Sequence, residues 1–248
     1  MSALLRPGER LDDLQAGGFF LIQRPGTFCL NTDSVLLADF AAPRKRDKAV
    51  DLGSGNGAVA ILMAAHQREL QVDSVEIQPE MADMAARSAE YNQITGRMRV
   101  HCMDMRDAWK EIGRQGSSLV VCNPPYGAKG KTLLNENAPE RIARHEDNLG
   151  PEDVARSAER LLKYGGRFCV VYPAQRALEM MQAMEKCGLA PKRIRTVHSL
   201  PDRAPKLMLI EAIKGGGQGL NWLPPLVLYD APGQPSAEYR RIYNLELT

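Results

Sequence analysis

The stretch Ala49-Val50-Asp51-Leu52-Gly53-Ser54-Gly55-Asn56-Gly57, followed by Ala58-Val59-Ala60-Ile61-Leu62, determines the fold class of this chain. The first apolar run predicts a buried strand, the glycines predict a tight turn, and the second apolar run predicts a helix. Glycines adopt positive φ and let a ligand approach the backbone, while the first turn of a helix presents unpaired N–H groups. The stretch therefore predicts a strand–turn–helix unit with a ligand site at the turn.

Two ligand classes fit this unit. Gly53, Gly55 and Ala58 satisfy a dinucleotide-binding fingerprint, and Glu76 lies at roughly the distance expected for a ribose-binding acid. A nicotinamide-dependent enzyme is therefore one interpretation. However, the Asp51 carboxylate at the strand end suits a ligand that carries an ammonium and a sulfonium better than it suits a pyrophosphate. A glycine turn without any ligand is the third interpretation.

Strand-like and helix-like segments alternate outward from this unit, between Ala49 and Lys214. This alternation predicts an α/β fold with a mostly parallel sheet and helices on both faces. We predict seven strands, and a hairpin around Pro201–Pro205 makes the last strand antiparallel. We also predict a hairpin in an N-terminal extension, residues 1–32, a core domain at 33–214, and a C-terminal strand and tail at 215–248. Prolines and glycines in that last stretch disfavour regular structure.

A second motif, Asn123-Pro124-Pro125-Tyr126, ends the apolar run Ser118–Cys122. A conjugated amino nitrogen attacks a methyl donor poorly, because its lone pair is delocalised. The side-chain oxygen of Asn123 and the carbonyl of Pro124 can each accept one N–H and so localise that lone pair. The prolines hold these acceptors rigidly, and Tyr126 offers a flat face for a planar base. The alternative is an ordinary Asn-Pro-Pro turn.

Composition indicates the class of protein but not its substrate. The 248 residues carry a formal net charge of +2, so the total charge neither requires nor excludes nucleic acid. The five cysteines are an odd number without a Cys-x-x-Cys pair, which predicts reduced thiols and a cytoplasmic location. The chain has no run of eighteen apolar residues and no signal-peptide pattern, so we predict no contact with a membrane. No metal site is predicted.

Together, the motifs resemble a known group of enzymes. The glycine turn after Asp51, with Glu76, Asp104 and Asn123-Pro124-Pro125-Tyr126, resembles class I S-adenosylmethionine-dependent methyltransferases that act on amino nitrogens. The segment Gly26–Ala38 is similar to the one that precedes the glycine motif in bacterial tRNA1(Val) adenine-N6 methyltransferases. This similarity extends from about Phe19 to Tyr229. It implies a Rossmann-like fold with residues 33–214 as the methyltransferase domain and S-adenosylmethionine as the cofactor.

The resemblance also implies how the methionine end of the cofactor is bound. Asp51, Gly53 and Gly55 line the methionine moiety, and Thr32 and Asp33 close that end of the site. Thr32 and Asp33 have an alternative role as caps of the helix that runs from Ser34 to Phe40.

The adenosine end is implied in the same way. Glu76 holds the ribose hydroxyls, and Asp104 accepts a hydrogen bond from the adenine amino group. Ile77 and Met105 enclose the adenine ring between apolar side chains, and Asn123 contacts the cofactor from the next strand. Ordinary acids at strand ends are the alternative for Glu76 and Asp104.

The function implied is methylation of the adenine N6 in tRNA, at the anticodon-loop adenine beside the anticodon of tRNA1(Val). The partner is tRNA, no stable protein partner is expected, and a monomer is favoured. The connection Gly127–Gly150 either contacts RNA phosphates or is a solvated surface loop. Its candidate residues are Lys129, Lys131, Arg141, Arg144 and His145. Basic runs at Arg44–Lys48 and Lys192–Arg195 are either RNA contacts or plain surface.

Four alternatives remain open. A glutamine-N5 methyltransferase of release factors shares the Asn-Pro-Pro-Tyr motif, but it usually carries a longer helical domain before the glycine motif. Guanine-N2 methylation of RNA is the second alternative. Adenine-N6 methylation of DNA is the third, although this chain lacks a target-recognition domain. An RNA-binding module with an inactive cofactor pocket is the fourth.

Overall fold

A central β-sheet between two layers of helices forms the body of the protein. The computed structural model describes residues 4–27, 29–124 and 149–245. The described strands are β1 (Arg10–Asp13), β2 (Phe20–Gln23), β3 (Lys48–Leu52), β4 (Gln71–Glu76), β5 (Met98–Cys102), β6 (Ser117–Cys122), β7 (Leu162–Pro173), β8 (Leu189–His198), β9 (Leu207–Lys214), β10 (Asn221–Trp222), β11 (Leu226–Val227), β12 (Tyr229–Ala231) and β13 (Gln234–Pro235). The α-helices are α1 (Thr32–Ala41), α2 (Ala58–His66), α3 (Pro79–Tyr91), α4 (Trp109–Ile112), α5 (Pro151–Leu161), α6 (Ala177–Lys186) and α7 (Ala237–Ile242). Short 3-10 turns lie at Met105–Asp107 and Ala174–Arg176.

The strand order confirms the predicted fold class. The central sheet has the order β10-β8-β9-β7-β6-β3-β4-β5, and β11 also pairs with β8. The seven predicted strands are present as β3 to β9. The last of them, β9, runs antiparallel to both β7 and β8. In the C-terminal stretch, where one strand is predicted, the described sheet has two two-residue strands, β10 and β11, which pair parallel to β8.

Alternating side chains of the strands bury both faces of the sheet. On β6, Leu119 and Val121 belong to one apolar cluster with α1 and α2, whereas Val120 and Cys122 belong to another with α5 and α6. This is the two-residue period expected of a strand covered on both sides. The prediction of helices on both faces is therefore confirmed.

Strand pairing ends helix α5 earlier than the sequence predicts. The sequence predicts a helix from Pro151 to Tyr164, but α5 ends at Leu161 and β7 begins at the next residue. Leu162 pairs with Ser117 of β6, so a contact distant in sequence sets the end of the helix. Local helix propensity is a weak preference, which tertiary pairing overrides.

The terminal segments pack against helices of the central domain. β1 and β2 pair antiparallel, and the Ile22 N–H donates to the Ser88 hydroxyl of α3 at 2.9 Å. The C-terminal stretch contains more regular structure than the sequence indicates: β12 and β13 form a hairpin, and Ser236 caps α7 through the Tyr239 N–H. The glycines and prolines form turns here, with Gly233 at φ +76° in the hairpin.

Two further expectations concern the whole chain. All five cysteines are free thiols, as predicted. Within the described residues, no helix has the length and apolar character needed to cross a bilayer.

Candidate active site

Most of the predicted site residues lie along one edge of the sheet, where the parallel strands end. Leu52 of β3 pairs with Val75 of β4 and with Cys122 of β6, so these three strands end at nearly the same level. The strand order reverses between β3 and β6, because the chain moves from β3 through β4 to β5 and then returns to the other side of β3. Ligands of open α/β sheets bind in the crevice at such a reversal.

The glycine turn after β3 forms one wall of this crevice. The Gly53 and Ser54 N–H groups donate to the Val75 carbonyl at 2.9 and 3.0 Å. Gly53, Gly55 and Gly57 have φ of +68°, +56° and +83°, which other residues rarely adopt. A Cβ atom on Gly57 would lie 3.0 Å from the Ala85 Cβ, so only glycine lets α3 approach this turn. The turn is thus fixed by conformation and by close packing.

Met105 lies against this glycine turn. A Cβ atom on Gly53 would lie 3.2 Å from the Met105 methyl carbon. Met105 is buried and Ile77 is half-buried, at the ends of neighbouring strands. The structure therefore brings the two predicted adenine walls to the same edge as the glycines.

Asp51 is a buried acid at the end of β3. Its side chain is almost fully enclosed, at 1% exposure, and its Oδ2 accepts from the Ala60 N–H of α2 at 3.2 Å. Burial and, to a smaller extent, the nearby Glu76 carboxylate raise the pKa of Asp51 to about 7, although the bond from the Ala60 N–H acts in the opposite direction. No Lys or Arg in the described parts of the chain forms an ion pair with it. A cationic ligand group would offset this cost of burying a carboxylate.

Glu76 organises the turn as well as facing the crevice. Its Oε2 accepts from the Gly55 N–H and its Oε1 from the Gln78 N–H, both at 2.8 Å. A carboxylate offers about four acceptor positions, so these bonds are compatible with contacts to ribose hydroxyls. Two acids, Asp51 and Glu76, therefore lie at this edge, and they disfavour a pyrophosphate at the turn.

Asp104 follows β5 and is paired with an arginine. The Arg106 Nε lies 3.0 Å from Asp104 Oδ1, and its Nη2 lies 2.5 Å from Oδ2. The Asp104 carboxylate also caps the 3-10 turn through the Arg106 N–H. An adenine amino group at this carboxylate must share it with Arg106 or displace that guanidinium.

The segment before α1 reaches the crevice from the other side. Asn31, not Thr32 or Asp33, is the N-cap of α1, and its Oδ1 accepts from the Ser34 N–H at 3.0 Å. The alternative that Thr32 and Asp33 cap the helix is therefore wrong; they lie in its first turn. Their predicted cofactor role stays a prediction.

Asn123 meets this segment through Ser34. Its Nδ2 donates to the Ser34 Oγ at 3.3 Å, which joins the end of β6 to the start of α1. Sequence reasoning missed both Ser34 and Asn31 as site residues. The available signal was the spacing of Asn31 and Ser34, which is typical of a side-chain cap.

The C-terminal helix also contacts this segment. The Tyr239 phenol lies near the Thr32 side chain, and burial raises the pKa of Tyr239. Its ring stacks on Tyr243 with centroids 4.5 Å apart, and the Tyr229 ring lies at 5.4 Å. The C-terminal stretch, to which the sequence assigns no role, thus supports one side of the predicted cofactor site.

Pro124 is buried directly after Asn123. Tyr126, the third predicted catalytic residue, lies outside the described residues. So do the predicted RNA contacts Lys129, Lys131, Arg141, Arg144 and His145.

The two other basic runs have local partners. Arg195 donates to both oxygens of Glu238, and Arg193 donates to Glu211 and to the Phe40 carbonyl. Lys45 pairs with Glu69. For Arg193 and Arg195, a structural role explains the charge.

Comparison with known proteins agrees with this geometry. The model of the methyltransferase small domain family matches residues 19–191. A tRNA1(Val) (adenine(37)-N6)-methyltransferase of Porphyromonas gingivalis is 30% identical over 225 residues, covering 86% of each chain. The protein of that name from Photobacterium profundum is 27% identical over 214 residues, covering 85% of this chain and 87% of the relative.

Solved structures share the fold. A predicted O-methyltransferase from Agrobacterium tumefaciens superposes with a TM-score of 0.71 at 24% identity, covering 86% of this chain and 96% of that one. A geranyl diphosphate C-methyltransferase from Streptomyces coelicolor, solved with S-adenosyl-L-homocysteine, gives a TM-score of 0.54 at 16% identity, covering 73% and 78%. The chain therefore belongs to the methyltransferase small domain family and is a class I methyltransferase that depends on S-adenosylmethionine.

Proposed function

We propose that this enzyme methylates the N6 of adenine in tRNA, at the anticodon-loop adenine beside the anticodon of tRNA1(Val). The observation that carries the proposal is the relative named for this reaction, which is 30% identical and matches 86% of each chain. The position of Asn123 supports it, because this side chain lies at the sheet reversal across from the glycine turn.

The proposed chemistry is positioning rather than acid–base catalysis. S-adenosylmethionine supplies a methyl group on a sulfonium, which needs no metal. Asn123 Oδ1 and the Pro124 carbonyl accept the two N–H groups of the adenine amine and localise its lone pair. The proton is lost after attack, when the nitrogen is acidic enough for water to take it. Tyr126 is proposed as the surface on which the rotated base stacks.

The proposed cofactor site has two parts, one for the methionine end of S-adenosylmethionine and one for its adenosine end. Asp51 faces the ammonium and sulfonium end, with Gly53 and Gly55 giving close backbone approach and Thr32 and Asp33 closing it. At the other end, Glu76 holds the ribose hydroxyls and Asp104 the adenine amine, between Ile77 and Met105. The fit of this chain to the cofactor rests on two structural features: a buried carboxylate without a described cationic partner, and a glycine turn where an added Cβ would lie 3.2 Å from Met105 or 3.0 Å from Ala85.

This arrangement predicts a pH-dependent cofactor affinity. The pKa of Asp51 is about 7, so the ionised form that pairs with an ammonium becomes the majority only above that pH. We expect S-adenosylmethionine to bind roughly fivefold more weakly at pH 6 than at pH 7, because the ionised fraction falls by that factor. Calorimetric titration at a series of pH values measures this, and Asp51→Asn is expected to flatten the profile. An unchanged affinity of the wild-type protein across this range would remove Asp51 from the ammonium site.

Methyl transfer to separate acceptors tests the function. Labelled S-adenosylmethionine is incubated with the enzyme and unmodified total tRNA, with release factor and DNA as parallel acceptors, and nucleosides are analysed by mass. N6-methyladenosine in tRNA is the expected product. The methyl-transfer assay is then repeated with tRNA1(Val) transcripts in which the adenine beside the anticodon is replaced. Loss of the product locates the methylated base.

The other outcomes separate the alternatives. Label only in the release factor would move the function to glutamine-N5 methylation, and N2-methylguanosine would move it to guanine. Label in DNA would identify an adenine-N6 DNA enzyme. Cofactor binding with no transfer to any acceptor would favour an RNA-binding module.

A further inference from the structure

We propose that Ser34 is a positioning residue that sets the orientation of the Asn123 side-chain amide, so that its oxygen and not its nitrogen turns away from α1 toward the target amine. The inference rests on the proposed function, because it assumes that Asn123 Oδ1 accepts the N–H of that amine. It concerns three residues: Asn31, Ser34 and Asn123.

The first step is the orientation of Asn31. The Ser34 backbone N–H donates to the Asn31 side chain at 3.0 Å. A backbone N–H is only a donor, so the atom that Asn31 presents to it is the oxygen, Oδ1. This is the N-cap bond of α1, and it determines which end of the Asn31 amide faces Ser34.

The second step assigns the proton of the Ser34 hydroxyl. The Ser34 Oγ lies 3.0 Å from the same Asn31 Oδ1. An amide oxygen has no hydrogen to give, so the hydroxyl must donate here, and a serine has only one hydroxyl proton. The Ser34 Oγ therefore meets every other neighbour as an acceptor.

The third step fixes Asn123. The Asn123 amide lies 3.3 Å from the Ser34 Oγ, and the atom facing that acceptor must be a donor, which is Nδ2. The reversed amide would place two acceptors, Asn123 Oδ1 and Ser34 Oγ, against each other. Since the nitrogen and oxygen of a planar amide point in different directions, anchoring Nδ2 on α1 turns Oδ1 away from α1.

The orientation matters because an amide presents opposite chemistry at its two ends. An oxygen facing the adenine amine accepts its N–H and localises the nitrogen lone pair. An NH2 group at that place would oppose the amine N–H groups and give no such stabilisation. A network that selects one orientation before substrate binds reduces the reorganisation left to the reaction.

Burial makes the network rigid. Ser34 is only 1% exposed, and it lies in α1, which packs against α2 in the apolar core. The partner at the other end, Asn123, directly follows β6 in the centre of the sheet. A core-packed helix and a central strand therefore carry the network.

The test uses Ser34→Ala in the full-length enzyme. We expect kcat for tRNA methylation to fall about tenfold, because the loss of one orienting hydrogen bond lets the Asn123 amide reverse. The dissociation constant of S-adenosylmethionine and the KM for tRNA are expected to change less than about twofold, since Ser34 is proposed to act through Asn123. Ser157→Ala is the matched control: it removes another buried hydroxyl, which donates to the Asp153 carbonyl within α5, and kcat is expected to stay at the wild-type value.

A double-variant comparison separates positioning from general damage. If Ser34 acts through Asn123, adding Ser34→Ala to Asn123→Ala lowers the residual single-turnover rate no further. A second readout is the proton–nitrogen spectrum of the wild-type protein, where the Asn123 NH2 pair is assigned by its loss in Asn123→Ala. We expect that pair to be sharp and shifted by its hydrogen bond, and to lose this shift in Ser34→Ala.

Two results would overturn the inference. One is wild-type kcat in Ser34→Ala while Asn123→Ala is inactive. The other is a double variant in which the two losses multiply. Failure of the proposed function gives a different pattern, in which the wild-type enzyme itself transfers no methyl group to the adenine N6 of tRNA.

Discussion

Asn123→Ala is expected to lower kcat for tRNA methylation by about 10²–10³-fold, the usual loss when one preorganised group that stabilises a transition state is removed. The variant deletes the acceptor that localises the lone pair of the target amine. It removes one predicted cofactor contact but leaves the glycine turn, Asp51 and Glu76 in place, so the affinity for S-adenosylmethionine is expected to fall far less than kcat. Steady-state kinetics on unmodified tRNA and calorimetric titration of the cofactor measure the two quantities separately.

A matched control for this variant is Asn221→Ala. Asn221 is exposed on the short edge strand β10, far along the sheet from the crevice, and its removal is expected to leave kcat unchanged. If Asn123→Ala turned over at the wild-type rate, Asn123 would have no part in the chemistry. If it lost cofactor affinity by the same factor as kcat, its role would be binding.

The second large effect concerns stability. Arg167 is a buried arginine on β7, with a side chain 8% exposed. Its Nη1 donates to the Ala41 carbonyl at 2.8 Å and lies 3.1 Å from Glu211 Oε2, and its Nη2 lies 3.3 Å from Asp47 Oδ2. One guanidinium thus joins the C-terminal end of α1 to the sheet and to the loop before β3.

Arg167→Met is expected to lower the free energy of unfolding by about 3 kcal/mol, because it leaves two buried carboxylates with fewer cationic partners. For a chain of this size the corresponding fall in Tm is roughly 10 °C. Thermal unfolding followed by circular dichroism measures it. Methionine keeps the apolar part of the side chain, so the loss reports on the charge network rather than on packing.

The control for this prediction is Arg156→Met, which removes an exposed arginine paired with Glu152 one helical turn away. Solvent screens such a pair, and no measurable change in Tm is expected. A Tm of Arg167→Met equal to that of wild type would mean that desolvation of the buried pairs cancels their attraction, as occurs in some proteins.

The two residues changed in these predictions, Asn123 and Arg167, contact opposite ends of α1. α1 presents Asn31 and Ser34 to the crevice at its first turn, and Arg167 holds the carbonyls at its last turn. Loss of the Arg167 contacts to the end of α1 is therefore expected to change the geometry of the crevice as well as to lower the stability of the protein.

Local patterns were sufficient for the parts of the fold that nearby residues control. The strand, turn and helix around Asp51 followed from an apolar run, three glycines and a second apolar run, because φ freedom and hydrophobic periodicity act over a few residues. The same reasoning placed Glu76, Asp104 and Asn123 at strand ends. Since parallel strands present their carboxyl ends at one edge, these side chains share a crevice.

The C-terminal stretch shows where local patterns fail. Pro232 and Gly233 indicate irregular structure, yet they form a hairpin turn that brings α7 onto α1, where Arg241 pairs with Asp39. The energy of such docking comes from contacts between distant residues, which propensity does not contain.

The sequence by itself determined the fold class, the glycine turn and the acid and amide side chains at the strand ends, because each depends on residues that are neighbours in the chain. Only the tertiary structure decided which side chains form hydrogen bonds and ion pairs with one another. Ser34 meets Asn123 across 89 positions, and Arg167 meets Asp47 across 120. Hydrogen bonds and ion pairs require atoms within about 3 Å, and chain folding alone brings distant residues to that separation.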